Sequence, residues 1–207
     1  LMDIGTNGEI VLGNRDKLYF TSTAAGPAFE GGKITMGMRA DKGAIVHVAS
    51  QNNKMVAELK NNGKPRGICG SGLLDAVAVG LQLGWIDYTG KINNDEKEII
   101  IAEPVKVIQK DIRELQLAKG AIAAGVEILM QKAGVKVNEL KQVYLAGAFG
   151  NYLDADSAVK IGLIKTARDK IQSSGNTALR GAVLSLLDID YQKIKNITQH
   201  IELKMED

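Results

Sequence analysis

The chain has 207 residues, of which 45% are hydrophobic and 24% charged, and its formal net charge is +2. These values are ordinary for a globular domain, and the length suits one domain or one lobe of a larger one. The sequence has no basic block that could follow a phosphate backbone, so nucleic acid is not an expected partner. No apolar run approaches the roughly 20 residues needed to cross a bilayer, so no membrane association is expected.

Cys69 is the only cysteine. One thiol cannot form an internal disulfide or hold an iron–sulfur cluster or zinc by itself. A chain with so few thiols is typical of a reducing compartment, so we expect a cytoplasmic protein. The chain begins on a strand with Leu1, without a signal peptide, which predicts a fragment whose preceding part is elsewhere.

Three short strands are predicted first, at 1–4, 9–12 and 17–21, and Asn7-Gly8 between the first two predicts a hairpin turn with positive φ. A loop with a short helical piece is predicted at 22–43. A strand pair is expected next, at 44–49 and 55–59.

The second half of the chain is predicted to be richer in helix. Ser71 is the expected N-cap of the first long helix, and Asp111 with Glu114 resembles a capping box at the start of the second. The remaining predicted elements are a helix at 70–84, two strands within 98–109, a helix at 111–133, a strand at 142–145, helices at 154–160, 176–188 and 190–198, and a last strand at 201–203.

A three-strand meander followed by alternating helices and strands indicates an α/β layer fold. By analogy, such a meander opens the ribonuclease H-like fold that actin, sugar kinases and chaperone ATPases share. We therefore predict an actin-like ATPase lobe.

The first candidate site is the segment from Asp3 to Glu9, where a strand delivers a carboxylate to a turn of small residues. Backbone N–H groups of Gly5, Thr6, Asn7 and Gly8 could face phosphate oxygens because little side chain blocks the approach. Asp3 could hold Mg²⁺ through water, since magnesium prefers oxygen ligands and keeps several waters. The alternative is a plain hairpin.

A second candidate is the glycine loop 67–72, which leads into a helix. Gly70, Ser71 and Gly72 would offer free N–H groups at the positive end of the helix dipole. No Lys-Ser/Thr pair follows, so a P-loop is excluded. The alternative is an ordinary capped helix in which Cys69 packs.

A third candidate is the segment 145–151, a strand that ends in small residues. Gly147, Ala148 and Gly150 would let a flat ring such as adenine lie against the backbone; the alternative is a tight strand–helix connection. The loop 21–32, with hydroxyls at its start and glycines at its end, is of a kind that often carries function.

In this order the segments resemble the C-terminal ATPase region of the reductive activators of corrinoid proteins, and the resemblance spans nearly the whole chain. The family serves methyl transfer in acetogens and in methanogens that use methylamines. The segments that carry the resemblance are DIGTNGEIVLG (3–13), STAAGPAFEGG (22–32), GICGSGLLDA (67–76), DIRELQLAKGAI (111–122) and LAGAFGNYLD (145–154).

The resemblance implies a longer protein, with a [2Fe-2S] domain of ferredoxin type, a middle domain and a first ATPase lobe before residues 1–207. Asp3–Glu9 matches the family's second phosphate motif, and 145–151 matches its adenosine motif. Asp3 would then position Mg²⁺ and water, Gly5 to Gly8 would hold phosphates, and Gly147, Ala148 and Gly150 would border adenosine. Without the first lobe, this region alone is expected to have little or no activity.

The implied activity is an ATP-driven reduction of an inactive Co(II) corrinoid protein to Co(I). The expected cofactors are ATP and Mg²⁺. The expected partner is a corrinoid iron–sulfur protein or a corrinoid methyltransferase component, and a homodimer stays open. Two alternatives are an ATPase activator of a 2-hydroxyacyl-CoA dehydratase, which lone Cys69 fits poorly, and a nucleotide-binding module without turnover. The loop 22–32 is a hypothesised partner contact through Ser22 and Thr23, anchored by Phe29.

Overall fold

A computed structural model of the chain describes residues 1–150, 152–187 and 191–201, the side chains of Ala148 and Tyr191 excepted. Positions 151, 188, 190, 202 and 203, on which predicted segments fall, lie outside the described residues. The strands are β1 (Met2–Ile4), β2 (Gly8–Gly13), β3 (Leu18–Thr23), β4 (Ala44–Gln51), β5 (Lys54–Leu59), β6 (Gly67–Ile68), β7 (Glu98–Ala102), β8 (Val105–Ile108), β9 (Val143–Ala146), β10 (Ile171–Gly175) and β11 (Thr198–His200). The helices are α1 (Gly70–Gln82), α2 (Gln109–Ala133), α3 (Gly147–Gly150), α4 (Ala155–Lys160), α5 (Thr177–Leu186) and α6 (Tyr191–Ile197), with a 3₁₀ turn at Pro27–Glu30.

The largest sheet has the strand order β10-β9-β1-β2-β3-β11. β1, β2 and β3 form the expected antiparallel meander, and β9 adds to β1 in parallel, as does β10 to β9. This is the strand order of a ribonuclease H-like lobe, so the predicted fold class is confirmed. The sequence prediction missed β10, and the last described strand is β11 rather than the expected 201–203.

Helix α2 packs across β2 and β3. The helix lies close to the strands because each side contributes a glycine to the contact. A β-carbon at Gly8 of β2 would collide with Ile122 of α2, and one at Gly125 of α2 would lie 2.5 Å from the Thr23 methyl group of β3. Gly8 and Gly125 therefore allow α2 to lie close to the sheet. Within the described ranges, no helix is long and apolar enough to cross a membrane.

An inserted segment between the 3₁₀ turn and α2 forms its own small sheet, β5-β4-β6, and the β7–β8 hairpin. Helix α1 packs along β4 and also contacts α4 of the main lobe. The tight turn with positive φ lies here, at Asn52-Asn53 with φ of 49° and 57°. It does not lie at Asn7-Gly8, where the first hairpin uses a three-residue connection between paired Ile4 and Gly8.

Neither of the two predicted cap residues occupies the N-cap position, although Asp111 does take part in a capping box of α2, as its third helical residue. Cys69, not Ser71, is the N-cap of α1, and Ser71 donates its hydroxyl instead to the Val46 carbonyl, 2.9 Å away. The Cys69 thiol is buried and lies 3.2 Å from the Ser71 hydroxyl, which confirms a packing position for the lone cysteine.

Asp111 lies in the first turn of α2 rather than at its cap. The fully buried carboxylate accepts hydrogen bonds from the amide of Ile108 at 3.0 Å and from the amide and hydroxyl of Thr35 at 2.7 and 2.9 Å. Thr35 belongs to the start of the inserted segment, so this carboxylate joins that segment to the main lobe. The sequence could not show the partner because it lies 76 positions away.

We predict that Asp111→Ala lowers the free energy of unfolding by about 3 kcal/mol, because buried donors lose a charged acceptor. Glu114→Ala, on the same turn, is the matched control and should change stability by less than about 0.5 kcal/mol. Urea denaturation of both variants measures the difference. Equal losses in the two variants would contradict the anchoring role of Asp111.

Candidate functional site

The first and third candidate loops leave neighbouring parallel strands at the same edge of the sheet. In β1, Asp3 is paired with Glu9 on one side and Ala146 on the other. Ligands of α/β sheets bind in the crevice outside the carboxyl ends of such strands. The topology therefore brings together two motifs that are about 140 positions apart in the sequence.

The Asp3 carboxylate lies directly against the backbone of Gly147. A β-carbon at Gly147 would collide with Oδ1 of Asp3, and the φ of Gly147 is +81°, so this position requires glycine on both counts. Burial raises the pKa of the Asp3 carboxyl above its ordinary value, and the negative charge of Glu9 adds to the shift. Carboxylate oxygens are among the ligands that Mg²⁺ prefers, so the residue type at this position fits the predicted magnesium role of Asp3.

The turn after β1 is held in shape by Glu30. The amide of Thr6 donates to Oε1 of Glu30 at 3.1 Å, and its hydroxyl donates to Oε2 at 2.9 Å. The carbonyl of Thr6 accepts from the Gly26 amide at 2.8 Å, and Gly5 donates to the Asn7 carbonyl at 2.9 Å. Gly5, Thr6 and Asn7 thus form the exposed part of the turn, whereas Gly8 is buried under α2 and its lack of a side chain serves packing.

The 3₁₀ turn Pro27–Glu30 contacts all three candidate loops. Its Glu30 binds the first loop, as described above. The ring of Phe29 is 2% exposed and lies 5.0 Å from the ring of Phe149 in the third loop. A β-carbon at Gly70 in the second loop would collide with the Phe29 carbonyl. The predicted anchoring of the loop by Phe29 is therefore confirmed.

A cleft of about 580 Å³ lies beside the 3₁₀ turn, between the main lobe and the inserted segment. Phe149 and Tyr152 line it from the main lobe, and the Lys60 amine approaches to 5.5 Å of the Tyr152 ring centroid. Gly70 and Ser71 line it from the N-terminus of α1, which no side chain caps. Its volume, aromatic rings and positive helix end fit an adenine nucleotide.

The glycines of the second and third loops differ in their contacts. A β-carbon at Gly72 would collide with the Ile45 carbonyl, so this glycine serves the packing of α1 on β4 rather than lining the cleft. Gly150 is buried, with 3.1 Å between its β-carbon position and the Leu145 carbonyl carbon. Ala148 lies in α3, but its side chain, like Asn151, is outside the described residues.

Sequence reasoning missed Glu30, Lys60 and Tyr152 as residues around the cleft. Glu30 and Tyr152 stand within the quoted segments 22–32 and 145–154, but a lone carboxylate or ring carries no signal of its own there. Lys60 is contributed by the inserted segment, and only the fold brings it opposite the third loop.

His47 also has a partner that the sequence did not reveal. Its Nδ1 lies 2.5 Å from Oδ2 of Asp75, and the Val48 amide donates to the same oxygen at 3.3 Å. Burial raises the pKa of the Asp75 carboxyl, while the Ser157 hydroxyl, the charge of His47 and the hydrogen bonds from His47 and Val48 oppose that shift. This pair joins β4 to α1 within the inserted segment.

Comparison with known proteins identifies close relatives. The chain is 39% identical over 236 aligned residues to the corrinoid activation enzyme RamQ of Eubacterium limosum, with 98% of this chain and 40% of the relative covered. It is 33% identical over 199 residues to the [Co(II) methylated amine-specific corrinoid protein] reductase of Methanosarcina barkeri, with 86% of this chain and 36% of the relative covered. The chain thus spans about two fifths of the length of these relatives.

A solved structure of a reductive activator for a corrinoid, iron–sulfur protein superposes with a TM-score of 0.87 at 35% sequence identity. The match covers 99% of this chain and 37% of that one. The family model described as the C-terminal domain of RACo, the ASKHA domain, matches residues 1–206. The resemblance to the reductive activators of corrinoid proteins is therefore confirmed, and the chain belongs to the family of their C-terminal ASKHA domain.

Proposed function

We propose that this chain is the ATP-binding and ATP-hydrolysing second lobe of an activator that drives reduction of an inactive Co(II) corrinoid protein to Co(I). The observation that carries the proposal is the contact of Asp3 with Gly147, because it joins the phosphate-type turn and the adenosine-type loop at one edge of the sheet. The relatives described above act on corrinoid proteins by their names, and each is more than twice as long as this chain.

Each part of the site has a distinct role in this proposal. Asp3 holds Mg²⁺ through water, since one carboxylate beside a solvated turn suits a cation that keeps most of its waters. The turn Gly5, Thr6 and Asn7 holds phosphates through the amides of Thr6 and Asn7 and the Thr6 hydroxyl, while the Gly5 amide donates within the turn to the Asn7 carbonyl. Phe149 and Tyr152 border the base, with the N-terminus of α1 on the opposite wall. Bound ATP supplies the phosphoanhydride bond whose hydrolysis drives the change of state.

The electron comes from a separate part of the protein in this proposal. A [2Fe-2S] cluster in an N-terminal domain would supply the one electron that reduction of the partner's Co(II) to Co(I) requires, so that the cluster would be oxidised as the cobalt is reduced. Cys69 takes no part, because its thiol is buried beside Ser71. A cytoplasmic location and a first ATPase lobe that supplies a further phosphate motif complete the proposal.

Titration of the chain with Mg-ATP tests nucleotide binding directly. We expect a dissociation constant between high micromolar and millimolar, on the order of −4 to −6 kcal/mol, because one lobe supplies only part of the contacts. Amide chemical-shift changes should concentrate at residues 3–9, 58–61, 70–71 and 145–150. Adenosine should shift the cleft residues but not residues 3–9. Changes confined to distant regions would remove the site assignment.

Asp3→Asn in the full-length protein tests the catalytic assignment. Asparagine keeps the shape beside Gly147 but removes the charge, so ATP turnover should fall at least about tenfold, roughly 1.4 kcal/mol in the barrier. The melting temperature should stay nearly unchanged. Asp16→Asn, in the exposed turn between β2 and β3, is the charge-matched control. Turnover equal to that of the wild type would exclude Asp3 from catalysis, whereas a wild-type protein that binds ATP without turnover would favour the binding module.

Gly147→Ala tests the fit of the two loops. A methyl group there must displace the Asp3 carboxylate and adopt a left-handed backbone, which costs about 1–2 kcal/mol of stability. Mg-ATP affinity should fall with it. Gly120→Ala is the control, because nothing lies within 4 Å of its β-carbon position on α2. That substitution should stabilise the fold by about 0.5–1 kcal/mol and leave binding unchanged. Unaltered Mg-ATP binding by Gly147→Ala would contradict the shared site.

A further inference from the structure

The Glu30 carboxylate occupies two of the donors that the proposed function assigns to phosphate, the amide and the hydroxyl of Thr6. One of its oxygens accepts from the Thr6 amide at 3.1 Å and the other from the Thr6 hydroxyl at 2.9 Å. Both contacts are exposed to solvent. A carboxylate with two oxygens engaged in this way presents to the turn the same kind of anionic acceptor that a phosphate group would present.

Carboxylate and phosphate cannot use these donors together. The Thr6 amide carries one hydrogen, and the Thr6 hydroxyl carries one. Two anions at the same donors would also repel each other at contact distance, where Coulomb energies are largest. Gly5, the residue before Thr6, also lies close to Glu30, because its β-carbon position is 3.3 Å from Oε1 of Glu30. Phosphate binding through Thr6 therefore requires that Glu30 leave.

The surroundings of Glu30 allow this departure. Phe29 is buried and fixes the 3₁₀ turn, whereas the next residue, Glu30, is exposed, so its side chain can rotate into solvent without moving the core. Gly26 and Gly31 bracket the turn, with φ of 77° and 79°. Nothing lies within 4 Å of the β-carbon position of Gly26.

We infer that Glu30 is an internal competitor of the nucleotide phosphates, which holds the Thr6 turn in the nucleotide-free state and is displaced by them. The inference rests on the proposed function of the turn. Glu30 lowers the affinity for the phosphate groups but not for adenosine, because both of its described hydrogen bonds go to Thr6, although the residue also borders the cleft. Its release also frees the exposed end of the 3₁₀ turn, so the loop that follows β3 has a different attachment in the two nucleotide states.

Three forms of the full-length protein separate the contact from its charge: wild type, Glu30→Gln and Glu30→Asp. Calorimetric titrations with Mg-ADP and with adenosine give their affinities. Glu30→Gln should bind Mg-ADP about tenfold more tightly, equivalent to roughly 1.4 kcal/mol. Glu30→Asp keeps the charge but is one methylene too short to reach both Thr6 donors, so it should also bind Mg-ADP more tightly. Adenosine affinity should be the same in all three.

The outcomes distinguish this inference from the proposed function. If Mg-ADP binds but Glu30→Gln weakens or leaves its affinity unchanged, Glu30 does not compete, and only the inference is wrong. Tighter binding by Glu30→Gln with wild-type affinity in Glu30→Asp would show that charge alone acts, which also overturns it. If none of the three proteins binds Mg-ADP more tightly than adenosine, the phosphate role of the turn is wrong, and the proposed function fails with the inference.

Discussion

The burial of one aromatic ring holds the candidate site together. Phe29 is 2% exposed, packs its ring against Phe149 and places its carbonyl under Gly70. The neighbouring Glu30 reaches Thr6. Three glycine loops that are far apart in the sequence thereby meet around a turn of four residues. Removing a ring of this size from water contributes about 1.5–3 kcal/mol, and that stabilisation fixes the loops relative to one another.

One buried carboxylate fixes the inserted segment against the main lobe, and a second one braces the segment internally. The Asp111 carboxylate accepts a hydrogen bond from the Thr35 amide at the start of the segment. Within the segment, the Asp75 carboxylate pairs with His47 and accepts from the Val48 amide. A buried carboxylate is tolerated only when hydrogen bonds replace its hydration. Both therefore constrain geometry strongly. Because the cleft lies between these two parts of the chain, its width depends on these carboxylates as much as on the residues that line it.

The sequence predicted those elements whose signals are local. The meander, the β4–β5 pair, α1 and α2 follow from alternation, helical periodicity and glycine turns, and their positions are confirmed within a few residues. β10 was missed because Ile171–Gly175 is largely polar and becomes a strand only by pairing with β9.

The errors in the site have the same physical cause. Ser71 and Asp111 have the residue types of helix caps, but Ser71 donates to Val46, and Asp111 binds Thr35 with one oxygen and the cap residue Ile108 with the other. Asn7-Gly8 has the composition of a tight turn, but Glu30 holds a wider one, and α2 covers Gly8. Propensity reflects interactions between residues that are close in the sequence. Each of these residues also interacts with a residue that is distant in the sequence, and the propensity does not include that contact.

Thr23 cannot serve the hypothesised partner contact. Thr23 is 3% exposed, and its hydroxyl donates to the Gly8 carbonyl at 3.3 Å. Of the two hydroxyl residues, only Ser22 lies at the surface, where it donates to Glu9. The root of the loop is thus fixed within the β2–β3 ladder, where Thr23 is paired with Gly8. A movement of the phosphate turn is therefore poorly transmitted along β3 to the loop.

Two hydrogen-bonded links join the turn to the loop, and phosphate can compete for only one of them. The Thr6 carbonyl accepts from the Gly26 amide, and a carbonyl oxygen offers nothing to an anion, so this link persists when nucleotide binds. The link from Thr6 to Glu30 uses donors and is open to competition. Nucleotide binding would therefore release the loop at Glu30 while Gly26 stays attached. A partner that distinguishes the nucleotide states would then have to contact the exposed surface at Glu30 and beyond rather than the strand end at Ser22 and Thr23, because differential affinity requires a surface that differs between the states.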